Sequence, residues 1–421
     1  MSFIGLLANP ISQATAQQKP IPYQFTFGTG KVQKGFTPVG TEMKYTEQTG
    51  YGFDFNSSAG TNQPFYFSVK VPEGNYKVTL TLGDANGESL TTVKAESRRL
   101  MLENIKTKKG ELKKVSFVVN VRTPAIKGGG NVSLKPREVG SLTWDEKLTL
   151  EFNNTKPQLK AIEIEKVENQ VTVFLAGNST VVDQDEEPWA SWGQMIPRFF
   201  KPGVAIANHA QSGLSLGSFL GSHRLDKILS VIKPGDYLFV EFGHNDQKEK
   251  GPEAGAYGSY TKRLQLFIDE VRAKKAIPVI VTSTARRSFD ENGKTINTLG
   301  DFPAAARKVA AEQHVALIDL NAMTTIFYDA LGVEPSKKAF VHYPAGTFPG
   351  QELALADNTH FNTYGAYEIA KCIIEGIKTN HLGLQKYLID SPAFNPSQPD
   401  AVDTFFLPLS PKSSTLKPDG N

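Results

Sequence analysis

Hydrophobic and polar positions follow two different rhythms along this chain. Between Tyr23 and Val167, apolar residues recur at every second position in Gln24 to Phe27, Phe65 to Val71, Tyr76 to Leu82, Val115 to Val119 and Lys147 to Phe152. That alternation puts successive side chains on opposite faces of a strand, one face buried and one wet. Glu73-Gly74-Asn75 lies between two such segments and predicts a tight hairpin. Many short antiparallel strands with no helical period predict an all-β sandwich.

From Val171 the rhythm changes. Continuous apolar runs at Val171 to Ala176, Val204 to Ala207, Tyr237 to Phe242, Pro278 to Thr282 and Ala316 to Leu320 suit parallel strands buried on both faces. Helical stretches lie between them, notably Ala256 to Lys275 and Phe302 to Gln313, the latter entered from Asp301 as an N-cap. Strands alternating with helices predict a doubly wound α/β/α sandwich around a parallel sheet. The boundary falls at Glu168-Asn169-Gln170. The chain therefore divides into a leader at 1–20, a β-sandwich at 21–168, an α/β domain at 169–390 and a Pro/Ser-rich tail at 391–421, expected as an extended strap or as partly disordered.

Composition narrows the possibilities. A chain of 421 residues suits two domains. The net charge of +3 is spread without a basic stripe, which argues against nucleic acid, and no apolar run reaches membrane-spanning length. Cys372 is the single cysteine, so an intrachain disulfide and a Cys-rich metal site are excluded. It reads as a small buried helix residue. Phe3 to Ala8 followed by Ala14-Thr15-Ala16 has the outline of a short signal peptide, which points to a secreted or periplasmic protein; a disordered leader fits equally. The oligomeric state leaves no mark on the sequence.

Candidate chemistry lies at the carboxyl ends of the strands, where open doubly wound sheets bind ligands. Ser179 follows the first strand in Gly177-Asn178-Ser179-Thr180. A serine hydroxyl needs a base before it is a nucleophile. His360 supplies one, and Asp357, three residues earlier, can hold the imidazole Nδ1 proton. Asn245, in Gly243-His244-Asn245-Asp246, and the backbone N–H groups of Gly213 and Ser179 are candidate oxyanion donors. Losing one such donor typically costs about 2.7–4 kcal/mol of transition-state stabilisation. Each segment alone has a plainer reading: Asn178-Ser179-Thr180 as a helix cap, Asp357-Asn358 as N-cap chemistry, Gly213 and Asn245 as turn punctuation. Their value lies in occurring together, in one order.

In that order the four segments resemble the blocks of the SGNH, or GDSL-type, hydrolases. In Phe174-Leu175-Ala176-Gly177, Glu187-Pro188-Trp189-Ala190-Ser191-Trp192-Gly193, Ala207-Asn208-His209-Ala210, Phe242-Gly243-His244-Asn245-Asp246 and Asp357-Asn358-Thr359-His360-Phe361-Asn362 the chain resembles rhamnogalacturonan acetylesterases more closely than generic lipases. The resemblance covers about half the chain, Val171 to Ile389. More loosely, the first half looks like the small, galactose-binding-like β-sandwich that often precedes this domain. The resemblance implies a serine carbohydrate esterase that removes acetyl groups from acetylated pectin, a plant cell-wall polysaccharide, with catalytic Ser179, Asp357 and His360, an oxyanion hole of Ser179, Gly213 and Asn245, and no metal or organic cofactor.

Two departures stand out. Asn178 replaces the Asp of the GDS motif, which predicts an active enzyme with an altered pH profile. Gln211-Ser212-Gly213-Leu214 lacks the flanking Glu and Arg of many relatives, which weakens the case for a uronate partner there. Substrate-binding candidates are Trp189, for stacking on a sugar ring, Arg286 and Arg287, for a uronate, and His342 at the cleft. Core packing suits one of Trp189 and Trp192, a structural ion pair suits the arginines equally, and a loop hydrogen bond suits His342 better. Two rival readings remain: a catalytically weakened carbohydrate-binding protein, favoured by Asn178 and Leu214, and an esterase on another acyl substrate such as acetylated xylan.

Overall fold

In the computed structural model, residues 23–28, 34–390 and 392–419 are described; the expected leader lies outside the described residues. The alternating segments form two five-stranded sheets. One has the order Thr37–Val39, Tyr23–Phe27, Leu159–Val167, Gly74–Leu82, Lys113–Val121. The other has the order Tyr51–Asp54, Phe65–Lys70, Lys147–Lys156, Ser89–Ala95, Arg99–Thr107. Pairing is antiparallel except where Thr37–Val39 runs parallel to Tyr23–Phe27. The period-two pattern does the expected work in Gly74–Leu82, which buries Tyr76, Val78, Leu80 and Leu82 and leaves Lys77, Thr79 and Thr81 partly wet. Phenylalanines from both sheets fill the space between them. Phe27 meets Phe67 edge-on at 5.1 Å and Phe65 stacks on Phe152 at 4.9 Å, geometries that contribute about 0.5–1.5 kcal/mol each beyond their burial.

Glu73-Gly74-Asn75 is not a hairpin. Phe65–Lys70 pairs within one sheet and Gly74–Leu82 within the other, so the turn carries the chain between sheets. Alternation reports which face is buried and says nothing about the partner strand. Glu73 is held there by Lys227, 2.7 Å away, and by the backbone N–H of Thr123.

The second half is a five-stranded parallel sheet in the order Val204–Asn208, Val171–Gly177, Tyr237–Phe242, Ile277–Thr282, Ala316–Ile318. Val173 and Leu175 point into a core shared with Trp192, Met195 and the helix Thr363–Thr379. Phe174 and Ala176 point into the opposite core, with Leu216–Gly221, Arg224–Val231, Thr261–Ala273 and Phe302–Glu312. Helices therefore cover both faces, which explains the continuously apolar strands. Asp301 stands at the N-cap of Phe302–Glu312, but its side chain makes no cap hydrogen bond. Asp357 and His360 lie on a strand, Leu355–Phe361, paired antiparallel to Phe340–Tyr343; the following helix is capped by Asn362, whose side chain accepts the N–H of Gly365.

The two halves meet through buried charge. Arg99 donates to Asp183 at 2.6 Å and to the Asn120 carbonyl at 2.7 Å. Arg98 pairs with Glu187 at 2.5 Å and donates to the Trp189 carbonyl. Arg224 reaches back to Glu138 at 2.5 Å. Residues 392–419 run across both halves with little regular structure beyond a 3-10 helix at Val402–Thr404. There Lys94 donates to the Pro408 carbonyl and to Ser410 Oγ, and Phe405 packs on Tyr364 and Tyr367.

Removing one member of a buried pair strands the other and costs about 3–5 kcal/mol. Arg99→Met leaves Asp183 buried without its cation, and urea denaturation is expected to show a loss of that size. An unchanged midpoint would mean that the pair does not hold the halves together.

Candidate active site

The strand order places two loops, after Val171–Gly177 and after Tyr237–Phe242, at adjacent carboxyl ends where the sheet reverses its direction of winding. Ser179 hangs on the first. Gly177 makes that turn possible, since a Cβ there would lie 2.5 Å from Val181 Cγ2. The turn is closed by Val181 and Val182, whose N–H groups donate to the Asn178 carbonyl. The Ser179 carbonyl accepts from Ser191 Oγ at 2.7 Å and Gln184 Nε2 at 3.0 Å. Asn178 Oδ1 accepts from the Thr180 N–H and hydroxyl, so its amide works as a turn brace.

His360 Nε2 lies 2.8 Å from Ser179 Oγ, and His360 Nδ1 lies 2.8 Å from Asp357 Oδ2. All three side chains are buried. Burial alone would raise the Asp357 carboxyl, but the His360 ring and the N–H groups of His360 and Thr359 hold it well below the usual carboxylate range. An ionised carboxylate only accepts, so Nδ1 carries the proton and Nε2 of the neutral ring presents its lone pair to the serine hydroxyl. Trp189 stands edge-on to the His360 ring at 5.8 Å.

The second loop brings Asn245, whose Nδ2 donates to the Leu214 carbonyl at 3.1 Å. An amide nitrogen has two hydrogens, so one remains for an oxyanion. Gly213 sits at φ +79° beside it, a conformation that L residues rarely adopt. Asp246 ties the two segments by accepting the N–H groups of Leu216 and Gly243, and its burial pushes the carboxyl up to about 7.

The remaining candidates are distributed differently. Trp192 is fully buried, its indole N–H donated to Glu241. Trp189 is 3% exposed, and its N–H is taken by the Ser414 carbonyl. Arg287 spends its guanidinium on Ser336 Oγ, Asn358 Oδ1 and the Val333 carbonyl. His342 Nε2 also meets Asn358 Oδ1, at 2.9 Å. Both therefore brace the Asp357–His360 strand. Arg286 is directed at the Thr298 and His244 carbonyls.

Glu241 is the residue that the sequence reading passed over, although a lone carboxyl in an otherwise apolar strand was a visible signal. It lies fully buried behind the serine loop, accepting from Thr180 Oγ1 at 2.8 Å and Trp192 Nε1 at 2.5 Å. Burial raises its carboxyl to about 7, against the pull of those hydrogen bonds. Lys417 and Asp419 from the tail, and Lys135 and Arg137 from the β half, also reach the site; no local pattern in the sequence pointed to them.

The model of the GDSL-like Lipase/Acylhydrolase family matches residues 175–366. Rhamnogalacturonan acetylesterase RhgT of Bacillus subtilis is 45% identical over 52% of this chain and 94% of its own length. A probable rhamnogalacturonan acetylesterase of the same organism, YesY, is 34% identical over 52% and 97%. The uncharacterized esterase YxiM, also of that organism, is 25% identical over 86% and 91%, a match that takes in the β half as well. The chain belongs to the GDSL-like lipase/acylhydrolase family and is a carboxylic ester hydrolase.

Glu241 gives a pH-dependent test of this packing. Between its ordinary value of 4.5 and about 7 the native protein keeps a proton that the unfolded chain has released. Its contribution is therefore whole below pH 4.5 and is lost as pH rises to about 7, at up to about 1.4 kcal/mol per pH unit. Glu241→Gln is expected to flatten the fall in urea midpoint across that window; parallel wild-type and variant curves would contradict it.

Proposed function

We propose that the protein is a serine acetylesterase that removes acetyl groups from the galacturonic acid residues of acetylated rhamnogalacturonan. The observation that carries this reading is the aligned chain of contacts Ser179 Oγ, His360 and Asp357, each link 2.8 Å. The mechanism follows from it. His360 Nε2 takes the serine proton as Oγ attacks the acetyl carbonyl, and Asp357 stabilises the imidazolium that forms. The oxyanion is held by the Ser179 and Gly213 N–H groups and by Asn245 Nδ2. His360 then protonates the departing sugar oxygen. Water, deprotonated by the same ring, releases acetate from the acyl-enzyme by the reverse sequence.

Substrate choice is supported by the relatives, one a rhamnogalacturonan acetylesterase and one a probable rhamnogalacturonan acetylesterase, and by the cations around the cleft. A polymeric substrate places the work outside the cell, in keeping with a secreted or periplasmic enzyme. Among the described residues no helix is long and apolar enough to cross a membrane.

The test is acetate release from acetylated rhamnogalacturonan, with acetylated xylan in parallel. Wild type is expected to prefer the first. Ser179→Ala is expected to lose at least ~10⁴-fold in kcat, and Asn245→Ala about 10²–10³-fold. Ser179-dependent release from xylan alone would keep the mechanism and overturn the pectin assignment. No release from either polymer by folded protein would favour a carbohydrate-binding role.

A further inference from the structure

Beside the candidate oxyanion loop, two cations from the β half face a carboxylate that belongs to neither the loop nor the triad. The loop Gln211-Ser212-Gly213-Leu214 has no charge of its own. Lys135 reaches over from the β half, its Nζ 2.6 Å from the Ser212 carbonyl, and a Cβ built on Gly213 would stand 2.9 Å from that nitrogen. Arg137 lies two residues on. Between them sits the side chain of Asp419. Its Oδ2 is 3.2 Å from Lys135 Nζ, its Oδ1 is 3.9 Å from Arg137, and its Cβ is likewise 2.9 Å from the position a Gly213 Cβ would take. Three residues of the same segment are already in the cleft: Ser414 on Trp189, Leu416 and Pro418 in its wall. Lys417 lies 3.3 Å from Asp357.

We propose that Lys135 and Arg137 form a carboxylate-binding subsite for a uronate sugar, and that Asp419 of the chain's own C-terminal segment occupies it until substrate arrives. The proposal rests on the reading of the substrate as an acidic polysaccharide and adds the residues that would recognise the acid. Three features argue for recognition over a purely structural ion pair. The pair is solvent-accessible, with Lys135, Arg137 and Asp419 side chains 29%, 36% and 48% exposed. An ion pair that open contributes little, so a competing carboxylate attached to a well-bound sugar chain can displace it. A primary ammonium beside a guanidinium gives one point charge and one fork, a pairing suited to a carboxylate.

The surroundings also suit a chain. The groove holding Arg137, Trp189, Gln211 and Ser212 has a volume of about 230 Å³. It shares Arg137, Ser141, Asp185 and Lys412 with a cavity of about 760 Å³ that Phe55 and Tyr66 of the β half also line. Further sugars of a polymer bound at Arg137 therefore have a neighbouring cavity with aromatic side chains to enter. Gly213 fits the same logic: a side chain there would fill the space where Asp419 and Lys135 meet.

Calorimetric titration of the full chain with D-galacturonate, and with D-galactose as the neutral counterpart, tests this without relying on turnover. Asp419→Asn empties the subsite of its internal carboxylate, and galacturonate is expected to bind that variant roughly tenfold more tightly than wild type. Arg137→Gln is expected to weaken galacturonate roughly tenfold, while galactose moves in neither variant. Galacturonate binding no tighter than galactose in Asp419→Asn, or unmoved by Arg137→Gln, would overturn the subsite. Acetate release from acetylated rhamnogalacturonan by the same wild-type preparation separates the two claims. Release without these shifts removes the subsite and leaves the proposed activity standing; the shifts without release keep the subsite and remove the pectin substrate.

Discussion

Arg99 and Asp183, buried against each other between the two halves of the chain, set the conditions for the rest of the structure. Asp183 lies four residues after Ser179 and also accepts from Asn208, on the neighbouring strand of the parallel sheet. The serine loop is thus fastened on one side by its own sheet and on the other by a guanidinium from the β-sandwich. Arg98 with Glu187 repeats the arrangement next to Trp189. Charges taken out of water are tolerated only while their partners stay in place. The halves of this molecule consequently behave as one structure, with the β half acting as a wall of the cleft.

The relatives RhgT and YesY each match 52% of the chain, and the family model matches residues 175–366, where the serine, histidine and aspartate are found. The cations beside the candidate oxyanion loop come from the first half. On this account the hydrolase fold supplies the proposed acyl-transfer chemistry and the β-sandwich supplies charge. Behind the serine, Glu241 and Asp246 illustrate a second use of burial. Burial raises both carboxyls to about 7, and each accepts hydrogen bonds that join the loops at the strand ends.

Much of this was legible in the sequence, for identifiable reasons. Strands such as Gly74–Leu82 and Val171–Gly177 were visible because burial on one face or both leaves a period or a continuous run. Ser89–Ala95 and Arg99–Thr107 were not singled out. Their buried positions include Thr91, Thr92, Lys94 and Arg99; Lys94 meets Glu151 and Ser410 and Arg99 meets Asp183, and a polar contact between distant segments leaves no periodicity. The four site segments could be picked out by residue type and order, yet nothing local distinguished Arg287 as a brace for Asn358 from a uronate ligand. Lys135, Arg137 and Asp419 were invisible for the same reason as Arg99: each has meaning only through a partner far away in the chain.

The account stands or falls on a covalent acyl-enzyme at Ser179. Rapid acid quenching during turnover of a chromogenic acetyl ester, followed by peptide mass mapping, reads this directly. The account predicts one acetyl group, on the peptide that contains Ser179, formed in wild type and strongly diminished in His360→Ala. An acetyl group on a different residue, or steady turnover with Ser179 replaced by Ala, would contradict it.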